Sequence, residues 1–375
     1  MTDVFDSIDG QRQVREFLRA CLKDDRVSHA YLFAGPVGSG KRAAAHAFAQ
    51  ALMCGERGCG SCAACRSVAQ GTHPDVHFLE PEGAAGYLIE QIRGLISDAA
   101  LTPVLGAKKV YVLNHADALS ASCANAFLKT LEEPPRDVVI ILLGRTVDSV
   151  LPTIASRCHV IPFRTISPHE AQAIVAGRAG VTVQRARAAL EACGGSLSDA
   201  ESFARSNDSM ELRRMTFDAL SSLAHADAWD VLQRSRDLVI AAKAPLDAVK
   251  LQQETDLAQR KEYLPAASIK QIEQRNKREL TLRSRENVTR VVNLTESWLR
   301  DLLAVRSGAR DEVMNTDVSA VFEALAPTVD EQSILAALKT AQRTNERIAY
   351  NVAPQASIDA LLLGVRNLLF EPSDS

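Results

Sequence analysis

The stretch Ala30-Tyr-Leu-Phe-Ala-Gly-Pro-Val-Gly-Ser-Gly-Lys-Arg42 decides the fold of this chain. Its apolar start predicts a buried strand, and Gly35 to Lys41 complete the pattern G-x-x-x-x-G-K. This pattern forms a phosphate-binding loop when a strand precedes it and a helix follows. Residues 41–53 have the composition of that helix. The candidate nucleotide-binding residues are therefore Gly35, Gly38, Gly40 and Lys41.

Short apolar runs and helical patterns alternate from this stretch up to residue 164. Such alternation indicates a parallel sheet with helices on both faces. The runs that predict further strands are 77–79, 109–113, 138–143 and 159–163. After Arg164 only helical patterns remain. We therefore expect an α/β domain over 1–164, a small helical unit over 165–208 and a larger helical domain over 209–375, with the second boundary resting on Asn207-Asp208-Ser209.

Composition excludes several classes of protein. Hydrophobic residues make up 46% and charged residues 24% of the 375 residues, as in ordinary globular proteins. The net charge of −3 gives no general signal for nucleic-acid binding, so any basic surface has to be local. The first residues do not resemble a signal peptide, and no apolar stretch of roughly 18 residues predicts a membrane span. We expect a cytoplasmic protein.

Two positions that would bind magnesium in an ATPase carry unsuitable side chains. Ser or Thr normally follows the loop lysine because its hydroxyl ligates the metal, but this chain has Arg42. A buried strand of such enzymes ends in acids that hold the metal and position water. Here the strand at 109–113 is followed by Asn114-His115, and Asp117 lies further along. The sequence therefore predicts a phosphate-binding loop without hydrolytic activity.

Four of the eight cysteines lie within twelve residues, with the spacing C-x4-C-x2-C-x2-C. In a reducing compartment a structural disulfide is disfavoured, and four thiolates suit a closed, tetrahedral zinc site. An iron–sulfur cluster uses similar ligands and remains the alternative. Glycines within the segment predict a tight loop. The candidate metal ligands are Cys54, Cys59, Cys62 and Cys65.

Ser156-Arg157-Cys158 precedes the last predicted strand. An isolated arginine is usually a surface ion-pair partner. Next to a disabled phosphate site it suggests another role, because an arginine at a subunit edge can complete a neighbour's ATP site by stabilising charge on the transferred phosphoryl group.

With these residues described, the chain resembles the bacterial clamp-loader subunits of DNA polymerase III, which are AAA+ proteins, and among them the delta-prime class. The resemblance covers nearly the whole chain. Besides the loop, the four cysteines and Ser156–Cys158, it depends on two further segments. They are Asn125-Ala-Phe-Leu-Lys-Thr-Leu-Glu-Glu-Pro-Pro135 and Asn351-Val-Ala-Pro-Gln355.

The resemblance implies a RecA-like nucleotide-binding domain, a helical lid, and a C-terminal helical collar through which five subunits assemble. The expected partners are the delta and gamma/tau subunits, the sliding clamp, and primer–template DNA through the complex. It further implies that Arg157 is an arginine finger in trans. Motor subunits of the family carry a sensing arginine in the lid, where this chain has Ser198 within Gly195–Ala200. ATP or ADP bound without hydrolysis remains possible because Lys41 is kept.

The resemblance favours the function of a non-hydrolysing assembly subunit, and two other functions remain as alternatives. A motor-type, gamma/tau-like ATPase would show measurable ATP turnover as the isolated chain. The residues at positions 42 and 114 argue against such activity. A zinc-containing DNA-binding module would use the segment 258–290, in which nine cations face four glutamates. Such a segment is also typical of a solvated helix face. Its cations are Arg260, Lys261, Lys270, Arg275, Lys277, Arg278, Arg283, Arg285 and Arg290.

Overall fold

The computed structural model describes residues 3–83, 86–260, 266–349 and 353–371. The chain divides into two compact units. The first comprises the described residues up to Ile174 together with Ser196–Ser198; the second comprises Val175–Gly195 and the described residues from Asp199 onward. None of the helices in the described ranges combines the length and the apolarity that crossing a lipid bilayer requires.

A five-stranded parallel sheet forms the centre of the first unit. Its strands are β1 (Ala30–Ala34), β2 (Val76–Leu79), β3 (Lys109–Leu113), β4 (Val138–Gly144) and β5 (His159–Pro162). They lie in the order β2-β3-β4-β1-β5. In parallel sheets the ligand-binding side chains gather beyond the carboxyl ends of the strands. The sheet and its flanking helices confirm the predicted α/β fold with a parallel sheet.

Helices cover both faces of this sheet. They are α1 (Arg12–Lys23), α2 (Lys41–Met53), α3 (Ala63–Ala69), α4 (Ile89–Ala99), α5 (Ala121–Glu132) and α6 (Pro152–Ala155). Because side chains alternate along a strand, Tyr31 and Phe33 pack on the face covered by α1, α2 and α3. Leu32 and Ala34 pack on the face covered by α4, α5 and α6. This double burial explains the unbroken apolar sequence of β1.

The described chain after β5 contains helices and short 3-10 turns, as the sequence predicts. The helices are α7 (Pro168–Ala179), α8 (Val183–Ala192), α9 (Leu197–Arg205), α10 (Asn207–Ser221), α11 (Ala228–Arg260), α12 (Ala266–Arg306), α13 (Ser319–Leu325), α14 (Glu331–Ala349) and α15 (Pro354–Phe370). In the second unit, Trp298 is fully buried against Phe322, with ring centroids 5.5 Å apart. A long-range core of this kind stabilises helices of weak amphipathicity.

One local feature differs from the sequence-based expectation, and a second shows the local structure at a predicted boundary. The cysteine segment is a loop only up to Cys62, because α3 begins at Ala63. The sulfur of Cys62 accepts the amide N–H of Cys65 at the N-terminus of this helix. Asn207-Asp208-Ser209 begins α10, and the hydroxyl of Ser206 accepts the amide N–H of Ser209. Ser, Asp and Asn favour turns and helix N-termini alike, so composition does not separate the two.

Candidate functional site

The glycine loop connects β1 to α2 in a conformation that requires its glycines. Gly38 and Gly40 have φ of 77° and 82°, in the left-handed region. At Gly35 a β-carbon would lie 2.7 Å from Phe163 Cβ, which excludes any larger residue. The loop therefore leaves backbone N–H groups at the N-terminus of α2, where the helix dipole favours anions.

Lys41 folds back onto this loop. Its Nζ donates hydrogen bonds to the carbonyl oxygens of Gly35 at 2.5 Å and Pro36 at 2.7 Å. Burial lowers the pKa of Lys41 to about 8, and the nearby carboxylate of Asp117 partly opposes this shift. The ammonium is thus mostly charged at neutral pH and lies within the loop. A phosphate group on the loop would compete with these carbonyls for its protons.

Arg42 lies in the first turn of α2, at the position of the expected metal-ligating hydroxyl. Its Nη2 is 3.3 Å from Oε1 of Glu80, the residue that follows β2. The side-chain amide of Asn114, which follows β3, donates to the same oxygen. An arginine and a neutral amide therefore occupy the two expected magnesium positions, and both contact one carboxylate.

Asp117 is the remaining acid that the sequence places near this edge. Its Oδ2 accepts a hydrogen bond from Nε of Arg145, which follows β4, at 3.1 Å, and Nη2 of the same arginine forms an ion pair with it at 3.1 Å. Its Oδ1 is buried and has no hydrogen-bond partner among the described residues. The Asp117 carboxylate is therefore engaged by an arginine, and it contributes negative charge close to Lys41.

Arg157 lies between α6 and β5, at the outer edge of the sheet. Its Nε and Nη2 donate to Oε1 of Glu132 at 2.9 and 2.5 Å, and its Nη1 donates to the carbonyl of Thr153 at 2.8 Å. About a third of the side chain remains exposed (34%). The guanidinium is thus fixed by α5 and α6 and still reachable from outside. Glu132 belongs to the Asn125–Pro135 segment. The sequence by itself does not predict it as a partner of Arg157.

The four clustered cysteines bring their sulfur atoms together. All four Sγ atoms lie within 4.8 Å of one another, and Cys54 Sγ is 3.6 Å from Cys59 Sγ and 3.8 Å from Cys62 Sγ. These separations exceed a disulfide bond of about 2.05 Å. They are close to the edge of about 3.8 Å of a tetrahedron with Zn–S bonds of about 2.3 Å. The cluster could therefore hold a metal ion.

Local backbone geometry prepares these sulfurs for a cation. Cys59 and Cys65 donate their amide N–H groups to the sulfurs of Cys54 and Cys62, each at 3.4 Å. Backbone N–H groups of Ser61 and Cys62 lower the pKa of the Cys59 thiol to about 6. Burial raises the pKa of Cys65, and a bound cation would oppose that effect by favouring its thiolate.

The remaining sequence-based candidates are only partly described. Ser198 lies in the first turn of α9. In the basic segment, Arg283 pairs with Glu279 at 2.7 Å, and Arg290 lies over the ring of Phe203. Five of the nine cations lie outside the described residues or have side chains outside them: Arg260, Lys261, Lys270, Arg275 and Arg278.

The second resemblance segment is also only partly described. Asn351 and Val352 lie outside the described residues, and Pro354 begins α15.

Sequence reasoning missed Glu80 and Glu132 as partners of the two candidate arginines. Glu80 had one available signal, since it directly follows a predicted strand and the carboxyl ends of parallel strands share one edge. Glu132 had none, because its approach to Arg157 depends on how α5 and α6 pack together.

Comparison with known proteins shows similarity to subunits of DNA polymerase III. Residues 10–167 match the family model described as DNA polymerase III, delta subunit. DNA polymerase III subunit delta' of Bacillus subtilis is 38% identical over 161 residues, 42% of this chain and 49% of that protein. The delta' subunit of Pseudomonas aeruginosa is 45% identical over 136 residues, 35% of this chain and 42% of that protein.

A subunit of a second type is also similar to part of the chain. DNA polymerase III subunit tau of Bacillus subtilis is 36% identical over 175 residues, 46% of this chain and 30% of that protein. The chain thus spans less than half the length of each of these relatives. A gamma subunit-related protein of Thermotoga maritima matches in structure with a TM-score of 0.44 and 16% identity, covering 93% of this chain and 98% of that one.

Proposed function

We propose that this chain, whose residues 10–167 belong with the delta-prime subunits of DNA polymerase III, is a non-hydrolysing subunit of the clamp-loader complex. In this role it helps to load the sliding clamp onto primed DNA in the cytoplasm. Its partners would be delta and gamma/tau subunits in a hetero-pentamer, and it would meet primer–template DNA through that complex. The segments 165–208 and 209–375 would serve as lid and collar.

The observation that carries this proposal is the Arg42–Glu80–Asn114 network at the carboxyl edge of the sheet. Catalysis of phosphoryl transfer depends on positioning and on charge stabilisation by magnesium. Neither Arg42 nor Asn114 can supply a metal ligand of the expected kind, and Glu80 is bound to both. The chain therefore keeps a phosphate loop and lacks the groups that a motor subunit needs.

The partly exposed side chain of Arg157 supports the second part of the proposal. A positive, planar donor group presented at a subunit edge can stabilise the charge that develops on a phosphoryl group in the neighbouring site. The contacts of Arg157 with Glu132 and Thr153 fix its direction before any partner binds. We assign it as the trans arginine finger for an adjacent motor subunit.

The four cysteines would hold a structural zinc ion. Their sulfur separations fit tetrahedral coordination, and a closed site of four thiolates leaves no position for a reacting water. Zinc would neutralise the thiolates and tie the end of α2 to the start of α3. Metal analysis of the purified protein tests this: one equivalent of zinc is expected, and its loss in Cys59→Ser but not in Cys193→Ser would support the assignment.

The decisive experiment measures ATP hydrolysis by the isolated chain and by a reconstituted loader containing either this chain or its Arg157→Ala variant. We expect no turnover by the isolated chain and a clamp- and DNA-stimulated rate that falls in the variant complex. Turnover by the isolated chain would instead favour a motor-type ATPase. An equal rate in both complexes would refute the finger assignment.

A further inference from the structure

The charge arrangement at the glycine loop has a consequence for what the loop can bind. Two adjacent cations, Lys41 and Arg42, begin α2, and the one carboxylate that contacts Arg42 among the described residues is Glu80. The Arg42 side chain is 54% exposed, so its guanidinium retains donors that face solvent. An anion on the loop amides would therefore meet the ammonium and the guanidinium together.

The carboxylates at this edge are already paired with arginines, which disfavours a divalent cation there. Among the described residues there, Oε1 of Glu80 forms an ion pair with Arg42 and accepts from Asn114. Oδ2 of Asp117 accepts from Arg145, and Oδ1 of Asp117 is buried. Magnesium requires near-octahedral oxygen ligands, including carboxylates together with substrate phosphates. The guanidinium of Arg42 would also repel a cation bound beside it. The residues fit the phosphates of a nucleotide and do not fit its metal.

We propose that the loop binds a nucleoside di- or triphosphate as the metal-free anion, with Arg42 in place of the magnesium ion. Lys41 and the loop amides hold the phosphates, and Arg42 leaves Glu80 in part to contact the terminal phosphate. This inference rests on the retained nucleotide site of the proposed function. Magnesium is then not expected to raise the affinity of the loop for the nucleotide. This differs from sites in which both the protein and the phosphates ligate the magnesium ion.

Isothermal titration of the full chain with ADP and with ATP tests the proposal, in EDTA and in excess magnesium. Binding in EDTA should be at least as tight as in magnesium. Arg42→Ala should weaken binding in EDTA by roughly tenfold, the effect of losing one charge-assisted contact. Arg93→Ala removes an exposed arginine from α4 and should leave the affinity unchanged. The double variant Arg42→Thr/Asn114→Asp should bind more tightly in magnesium than in EDTA.

Each outcome decides for or against the proposal. Binding that magnesium strengthens by more than about tenfold, or an unchanged affinity in Arg42→Ala, would overturn it. Circular dichroism of each variant checks its fold, and Arg42→Lys keeps the charge if the alanine variant unfolds. Absence of nucleotide binding in both conditions would also refute it. The role of Arg157 would stand or fall separately, in the reconstituted loader.

Discussion

The two arginine–glutamate pairs of the first unit differ in geometry and in position. Arg42 approaches Glu80 through one nitrogen at 3.3 Å, beside the glycine loop. Arg157 directs two nitrogens to one oxygen of Glu132 and a third to a backbone carbonyl, at the outer edge of the sheet. In the proposed roles, the first glutamate would compete with an anion for a loosely held arginine, whereas the second would orient its arginine. The same chemical pair would thus oppose the function of one arginine and support that of the other.

The largest expected effect is that of Arg157→Ala in the reconstituted loader. An arginine finger contributes about 10³-fold or more to turnover at the site that it completes. We therefore expect the adjacent motor site to lose nearly all of its activity. The total rate of ATP hydrolysis should fall by the fraction that this one site contributes. Steady-state ATPase assays with clamp and primed DNA measure this. Arg136→Ala, which removes an exposed arginine just after α5, should leave the rate unchanged.

The next largest effect concerns Lys41, the neighbour of Arg42, because its charge controls anion binding at the loop. Burial lowers the pKa of Lys41 to about 8, so the free protein loses this proton as the pH rises through that value. Because phosphates bind the protonated form, nucleotide affinity should fall about fivefold between about pH 8 and pH 9. Titration calorimetry across this range measures it. Lys41→Arg should show no such fall, since arginine stays protonated; an equal fall in both proteins would contradict the assignment to Lys41.

A smaller effect is expected for Glu132→Gln. The variant keeps the shape of the side chain but weakens its hold on Arg157, and ordering a free side chain costs about 0.5–1.5 kcal/mol. Turnover at the adjacent motor site should fall several-fold through kcat, and the total rate of the loader should fall by less than in Arg157→Ala. Combined with Arg157→Ala, the substitution should have no further effect. A matched control is Glu133→Gln, and an additive double variant would show that Glu132 acts independently of Arg157.

The smallest effect, with the opposite sign, is expected for Glu80→Gln. Removing the charge frees Arg42 for an anion, so nucleotide affinity in EDTA should rise by a few-fold, while stability falls by at most about 1 kcal/mol. Calorimetric titration and thermal unfolding measure the two quantities. Glu90→Gln removes an exposed carboxylate from α4 and should change neither. Weaker binding by Glu80→Gln would mean that this carboxylate positions Arg42, and the contrast between the two pairs would disappear.

The sequence by itself determined the local features of this protein. The apolar run of β1, the glycines of the loop and the helix from Lys41 follow one another directly, so their conformations depend on neighbours in the chain. The four cysteines likewise lie close enough in sequence that their spacing predicted a shared site, which the sulfur positions support. The residues at positions 42 and 114 also predicted, without any structure, that the expected metal ligands are replaced.

Only the tertiary structure decided which groups surround these residues. Glu80 reaches Arg42 and Asn114 because β2 and β3 are neighbours whose carboxyl ends meet near α2. Glu132 reaches Arg157 across 25 residues because α5 and α6 pack together. Such contacts depend on strand order and helix packing, which distant parts of the chain fix jointly. A local pattern can therefore identify a charged residue, whereas its partner becomes known only once the sheet and its helices are assembled.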